Sequence, residues 1–151
     1  MMPKLNQEKR DFVEAAGAQA ERVSLTAHAF TNLLKAAVGR YGDRCGVSWK
    51  LPTKVPLPGF AITTSAVELV ASFEFGRTGD EIVGIFRFHR YAGDPIEPKL
   101  VPFWSFLFTD DGNATWSSVP GQWEWNMRDG NDIIAFVYRV MHEYYEAIRI
   151  A

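Results

Sequence analysis

The feature that most constrains the fold is an apolar stripe in the first third of the chain. Between residues 6 and 41, apolar residues recur at alternating steps of three and four, the repeat of one helix face. We call this stripe the apolar seam: Val13, Ala16, Ala20, Val23, Ala27, Phe30, Leu34, Ala37 and Tyr41. With Asn6 as N-cap and Gly39 and Gly42 at the stop, the pattern predicts a helix over residues 6–41. Ser24 could cap a second helix, so a break there stays open.

The composition of the apolar seam indicates what could cover it. Four of its members are alanines, which allow close approach by another helix. A spacing of about 3.5 residues is typical of a coiled-coil-like pairing, within the chain or with a second copy. The alternative is that the helix lies on the chain's own sheet. The pattern therefore predicts the helix and leaves its cover open.

Residues 42–59 form a connection rich in glycine and proline. Val47, Trp49 and Leu51 alternate with polar residues within it, which predicts a short edge strand ended by Pro52. We expect the remainder to be an extended arm across the fold. A functional loop is the alternative interpretation, because a connection of this length is unusual in a compact domain.

Residues 60–126 change to an alternation of period two, which predicts an antiparallel sheet. A turn at residues 78–79 pairs Ala71 with Phe86 and collects apolar residues on one face. On the other face the same register sets Glu68 across from His89. A slip by one residue would destroy this segregation.

A second hairpin is predicted with its turn at residues 111–112, which pairs Phe108 with Thr115. Its first strand, residues 103–108, is apolar on both faces and should therefore be covered on both sides. One face carries Trp104, Phe106 and Phe108, and the other carries Phe103 and Leu107. Alternating tryptophans within residues 122–126 predict a last short strand.

The chain closes with a predicted helix over residues 131–149, capped by Asn131 or Asp132. Its apolar stripe is Ile133, Phe136, Val137, Val140, Met141, Tyr144 and Ile148. We therefore expect a single α+β domain over residues 1–151. It contains an antiparallel meander of four to six strands, flanked by the long N-terminal helix and the C-terminal helix.

Composition places the chain among soluble globular proteins, with 47% hydrophobic and 23% charged residues. The first ten residues lack the apolar run of a secretory signal, and no apolar stretch is long enough to cross a membrane, so we expect a cytoplasmic protein. The lone Cys45 cannot form an internal disulfide.

The charge distribution raises a nucleic-acid hypothesis. The net charge is −2, but residues 1–58 carry nine Lys and Arg against five Asp and Glu, whereas residues 59–151 carry seven against thirteen. A basic N-terminal helix could touch nucleic acid. Its basic residues are widely spaced among acidic ones, so we consider this function unlikely and favour attraction between two parts of one domain.

A candidate ligand site combines Glu68, Arg87 and His89 on one sheet face. A carboxylate opposite a histidine would orient the imidazole and favour its charged form, which suits acid or base catalysis. No nucleophile accompanies the three residues. A solvent-facing polar patch is the simpler interpretation.

Two further arrangements resemble known chemistry only in part. His142 and Glu146 share a helix face, but the second histidine of the zinc-protease motif is missing, so we interpret them as a solvated i,i+4 pair. Arg44 could favour the thiolate of Cys45, but the sequence supplies no matching base. We therefore expect no metal, no cofactor and no catalytic residue.

The last feature is a cluster of aromatic residues with acidic neighbours. Its members are Trp104, Phe106, Phe108, Trp116, Trp123 and Trp125. They could form an ordinary core, or a surface for a protein partner, because tryptophan and phenylalanine are enriched in interfaces. We predict a non-enzymatic module that binds protein stoichiometrically as an adaptor, assembly factor or inhibitor, acts as a homodimer, and uses this cluster for its partner. A small-ligand protein or enzyme is the alternative.

Overall fold

The computed structural model describes residues 6–51, 55–117 and 119–148. Two long helices, α1 and α2, enclose a run of strands along the chain. Their bounds are α1 Gln7–Tyr41, β1 Ser48–Lys50, β2 Phe60–Thr63, β3 Glu68–Thr78, β4 Glu81–Ala92, β5 Lys99–Phe108, β6 Asn113–Ala114, β7 Trp125–Asn126 and α2 Gly130–Ala147. The α+β class is thereby confirmed.

Helix α1 forms as its sequence predicts. The Asn6 side chain accepts a hydrogen bond from the Lys9 backbone N at 2.8 Å, which is an N-cap contact. The helix runs without a break through Ser24, so the open possibility of two helices is wrong. It ends at Tyr41, and Gly42 begins a short 3₁₀ turn.

Within the described ranges the sheet has seven antiparallel strands in sequential order, and it curls into a half-barrel. The prediction of four to six strands is wrong because β2 carries no alternation that would indicate it as a separate strand. The first three residues of β2 are all buried, and β6 and β7 have two residues each. The predicted edge strand is confirmed as β1, which pairs with β2 and with no other described strand. Pro52, its predicted end, lies outside the described residues.

The β3–β4 hairpin turns at residues 79–80 rather than 78–79, so the predicted register is wrong by two residues. Gly79 has φ +62° and occupies the first central position of the turn, where a positive φ is required. Ala71 therefore pairs with Phe88 instead of Phe86. Because the shift is even, every side chain keeps its predicted face while its cross-strand partner changes.

The β5–β6 hairpin also differs from its prediction. It has a three-residue loop, residues 110–112, so that Phe108 pairs with Ala114 instead of Thr115. Gly112 has φ +86° at the last loop position, the conformation that this loop length requires.

A bulge in β5 corrects the predicted position of Phe103. The register with β4 shifts after the pair Phe88 and Trp104, and Phe103 is the extra residue. Its ring lies 6.0 Å from that of Tyr144 on α2. The prediction that Phe103 lies on the face opposite Trp104 is therefore wrong.

Helix α2 begins one residue earlier than predicted, and its N-cap lies two or three residues before the predicted caps. Asp129 is the N-cap, and its side chain accepts hydrogen bonds from the backbone N atoms of Asn131 and Asp132 at 2.9 and 3.2 Å. The predicted caps, Asn131 and Asp132, lie inside the helix. The predicted end at residue 149 falls outside the described residues.

Both helices cover the same face of the sheet. Phe30 of α1 and Phe136 of α2 make an edge-to-face contact at 5.2 Å between ring centroids, and both rings contact Phe106 of β5. The fully buried phenylalanines are Phe30, Phe60, Phe86, Phe88, Phe106, Phe108 and Phe136. The core is therefore largely aromatic and lies between the sheet and the two helices. In the described ranges, neither helix is apolar enough over a sufficient length to span a bilayer.

Candidate protein interface

The first turns of α1 extend beyond the folded body. We call residues 7–18 the projecting segment; every residue in it is exposed except the half-buried Ala16. Phe12 and Val13 keep 40% and 59% of their surface accessible. No hydrogen bond, ion pair or ring contact joins this segment to a described residue outside α1 and its N-cap, Asn6. At about 1.5 Å per residue, it is roughly 18 Å long.

The body of the protein begins at Gln19. Its side-chain Oε1 accepts a hydrogen bond from the Ile82 backbone N at 2.6 Å, next to the β3–β4 turn. One turn further along α1, Arg22 Nε lies 2.9 Å from an Asp110 carboxylate oxygen. From Val23 onward the apolar seam is covered by the sheet and α2.

A polar contact secures this junction. Thr26 Oγ1 donates a hydrogen bond to the Asp110 backbone O at 2.7 Å, and Arg128 Nη2 donates to the same oxygen at 3.2 Å. The β5–β6 loop is thereby tied to α1 at the point where the helix meets the body.

The projecting segment continues the apolar seam into solvent. At 100° per residue, Phe12, Val13 and Ala16 share one face of the helix, whereas Asp11 and Glu14 lie opposite. Isolated helices shorter than about 12–15 residues are marginal in water, and most helical stability comes from packing an amphipathic face. This segment therefore has a face suited to packing and, within its own described chain, nothing packed on it.

The predicted aromatic cluster is mostly enclosed in the chain's own core. Phe106, Phe108 and Trp125 are buried, and Trp104 and Trp116 are half-buried against that core. Two of these tryptophans donate hydrogen bonds from Nε1 to the backbone: Trp104 to the Trp116 O and Trp125 to the Thr115 O, each at 3.0 Å. Five of the six side chains therefore support the fold.

Trp123 differs from the other five because 36% of its surface is accessible. It follows a turn in which the Gln122 backbone N donates to the Val119 backbone O, with Gly121 at φ +84°. The side chain of the next residue, Glu124, accepts from the Trp116 backbone N at 3.0 Å. Of the cluster, Trp123 is the member most available to a partner.

The structure does not bring Glu68, Arg87 and His89 into contact. Because of the two-residue shift, Val70 and not Glu68 lies opposite His89. Glu68 Oε2 is 2.9 Å from Lys50 Nζ. The predicted pairing of Glu68 with His89 is therefore wrong.

The other two members of this ligand-site hypothesis have neighbours of their own. Arg87 Nη2 lies 2.7 Å from a Glu74 carboxylate oxygen, and His89 Nδ1 is 3.4 Å from the Val70 backbone O. The sheet face opposite the two helices thus carries two separate ion pairs, and a histidine whose ring lies beside a backbone carbonyl. It lacks a carboxylate–imidazole contact among these three residues.

Cys45 contacts α2. A hydrogen bond between Tyr138 and Cys45, together with the charge on the Cys45 thiolate, raises the pKa of Tyr138 above its usual value of 10.0. The Arg44 charge acts in the opposite direction, and its guanidinium lies 5.7 Å from the Tyr41 ring centroid. No histidine or carboxylate is seen to act as a base for this thiol in the described chain.

The His142 and Glu146 pair is confirmed as a solvent-exposed i,i+4 contact, with 3.6 Å between His142 Nε2 and the carboxylate. Across the described residues, no three His, Cys, Asp or Glu side chains are grouped closely enough to hold a metal ion. The nucleic-acid hypothesis rests on the basic residues of α1, which are Arg10, Arg22, Lys35 and Arg40. Of these, Arg22 forms an ion pair with Asp110.

Comparisons with protein-family models, curated proteins and solved structures returned no match for this chain. The candidate site therefore stands on its own geometry.

The sequence analysis did not predict the residue of α1 at which the apolar seam leaves the body. A signal was present: residues 7–20 contain only two large apolar side chains, Phe12 and Val13, and Phe12 lies off the repeat. The rest of the seam there is alanine. Weakening of the seam toward the N-terminus indicates a face that the protein's own core does not use.

Proposed function

We propose that this protein is a non-enzymatic protein-binding module that acts as a homodimer through its projecting segment. The observation that supports the proposal is the continuation of the apolar seam beyond Gln19, where Phe12 and Val13 lie uncovered on an otherwise ordered helix. Burying apolar surface contributes about 25 cal/mol per Å², so an uncovered apolar helix face favours association.

A second copy of the chain is the occupant that fits this face. A two-fold contact uses the same patch on both subunits, so the patch must complement itself. Phe12 and Val13 are large, and Ala16 and Gly17 follow them as small residues on adjoining positions. Large side chains of one copy can therefore lie against small ones of the other, which brings the helices close together.

The two segments should pair in antiparallel orientation. The body begins at Gln19, so parallel pairing would bring two bodies together at one end, whereas antiparallel pairing places them at opposite ends. Charge agrees with this arrangement: Lys9 lies on the apolar face one turn before Phe12 and Val13, and Glu8 borders it, so an antiparallel pair places these charges of the two copies at opposite ends of the contact.

The contact is short, and its affinity should be modest. Interfaces below about 1,200 Å² of total buried area are typical of weak or transient complexes. We therefore expect monomers and dimers in concentration-dependent exchange, with a dissociation constant in the micromolar range.

Sedimentation velocity over a wide concentration range tests this proposal. The wild-type protein should shift from monomer to dimer as concentration rises. The double variant Phe12→Glu, Val13→Glu should remain monomeric with an unchanged circular dichroism spectrum, because neither side chain contacts the body and glutamate is a good helix former.

A matched control is available on the same helix. Leu25 and Leu33 are 64% and 43% exposed, and these values are close to those of Val13 and Phe12. The two leucines, however, lie beside the body. The double variant Leu25→Glu, Leu33→Glu should dimerise like wild type. A wild-type protein that is monomeric throughout, or a dimer that survives the Phe12 and Val13 changes, would show that the proposal is wrong.

The same proposal has two further parts. The first is that the protein binds a protein partner other than its second copy, and the second is that it is located in the cytoplasm. Trp123 supports the first, because it combines exposure with acidic neighbours that favour a basic partner. The single cysteine favours the second, because the chain cannot form the internal disulfides that are common in exported proteins.

A further inference from the structure

A cavity of about 270 Å³ lies at the end of the sheet remote from the projecting segment. The start of β3, the end of β4 and the last turns of α2 form its walls. Its lining residues are Ala66, Val67, Glu68, Arg90, Tyr91 and Tyr144. This combination of a cation, aromatic rings and small apolar side chains is typical of a small-ligand site.

Arg90 is the unusual member. It pairs with Leu69 across the strands, so it lies on the core-facing side of the sheet, and it is half-buried. Its Nε atom is enclosed without a hydrogen-bond partner, and among the residues described the guanidinium has no ion pair. An enclosed charged donor that lacks a partner is unfavourable, because its lost hydration is not replaced.

The carboxylate nearest in the lining does not serve Arg90. Glu68 is bound to Lys50 Nζ at 2.9 Å, and the pair together is neutral. Among the described residues, no carboxylate compensates the positive charge that Arg90 brings to the cavity. A ligand that carries a single negative charge would compensate it.

We propose that this cavity binds a small organic carboxylate, whose two oxygens accept hydrogen bonds from the Arg90 guanidinium. The planar fork of arginine donors matches a carboxylate in shape and charge. Tyr91 and Tyr144 supply aromatic walls for the body of the ligand. A doubly charged phosphate fits less well, because the Lys50–Glu68 pair is already neutral and Arg90 compensates only one of the two charges.

The size of the cavity limits the ligand. Pockets for drug-sized molecules are about 300–1,000 Å³, and this cavity is slightly smaller. The carboxylate should therefore be carried on a body no larger than a single ring. Benzoate is a suitable probe, acetate tests the charge without the ring, and inorganic phosphate tests the higher charge.

The test is a titration of ¹⁵N-labelled protein with each anion, followed by amide chemical shifts. Benzoate should bind wild type with millimolar affinity and shift amides of β4 and α2. Arg90→Gln should weaken benzoate binding by about tenfold or more, because it removes the charged donor. The matched control Arg87→Gln, on the same strand but the opposite face, should bind benzoate like wild type.

A second variant keeps the test decisive if Arg90→Gln does not fold. Tyr144→Ala removes one wall and should weaken benzoate binding several-fold while leaving acetate unchanged. The proposal is wrong if benzoate does not bind, if Arg90→Gln and Arg87→Gln have equal effects, or if acetate or phosphate binds as tightly as benzoate. None of these results depends on the oligomeric state, so the dimer proposal stands or fails separately.

Discussion

The two parts of α1 share one apolar seam but differ in what covers them. In residues 19–41, Val23, Phe30 and Leu34 are buried against the sheet and α2. In residues 7–18, Val13 occupies an equivalent seam position and is exposed. Helical periodicity therefore indicates that a face is suited to burial, and the size of the neighbouring elements decides whether the chain itself buries it.

The length of the sheet sets the boundary between the two parts. Gln19 receives its hydrogen bond from Ile82, the second residue of β4, and the β3–β4 turn lies immediately beyond. Further toward the N-terminus of the helix, none of the described strands lies beneath it. A longer β4 would have covered more of the same seam without any change in α1.

The largest expected contrast is between two phenylalanines of α1. Phe30→Ala should reduce the free energy of unfolding by about 3–5 kcal/mol, because the ring contacts Phe86, Phe106 and Phe136 in the core. Phe12→Ala should change it by less than about 0.5 kcal/mol. Urea denaturation at low protein concentration, where monomer predominates, measures both. Equal losses in the two variants would contradict the division of α1.

A smaller effect is expected at the junction. Thr26→Val removes the hydroxyl that donates to the Asp110 backbone O, and should reduce the free energy of unfolding by about 1–2 kcal/mol. Ser24→Ala is the control, because no hydrogen bond of the Ser24 hydroxyl occurs among the described residues; it should cost less than about 0.5 kcal/mol. A neutral Thr26→Val would mean that this contact does not secure the helix.

The smallest effect compares two glycines of α1. A Cβ at Gly17 or at Gly39 meets no atom within 4 Å, so alanine fits at both positions. Gly39→Ala should stabilise the whole fold by up to about 1 kcal/mol through helix propensity. Gly17→Ala should leave the unfolding midpoint unchanged and instead slow amide exchange in residues 7–18, because that segment opens locally.

This comparison of glycines would be contradicted in either of two ways. Gly17→Ala could raise the unfolding midpoint as much as Gly39→Ala, which would place residue 17 within the cooperative fold. Alternatively, amides of residues 7–18 could already exchange as slowly as those of the covered part at low protein concentration. Hydrogen exchange read by NMR, residue by residue, distinguishes both results from the expected one.

The candidate sites depended on details that the sequence left open. The pairing of Glu68 with His89 rested on a register that turn geometry shifted by two residues. The sequence does not indicate Arg90, because its position on the core-facing side of the sheet and at the cavity depends on the placement of Leu69, Tyr144 and Lys50 around it. Exposure of the projecting segment similarly depends on where other elements end.

The sequence by itself determined the two helices, the antiparallel strands between them and the face on which most strand residues lie. These properties follow from local periodicity and from conformational preferences of neighbouring residues, as at Asn6 and Gly112. Tertiary structure alone decided the cross-strand partners, the bulge that turns Phe103 inward and the length of α1 that is covered. These depend on how separate elements meet, and such contacts leave no periodic signal in any one segment.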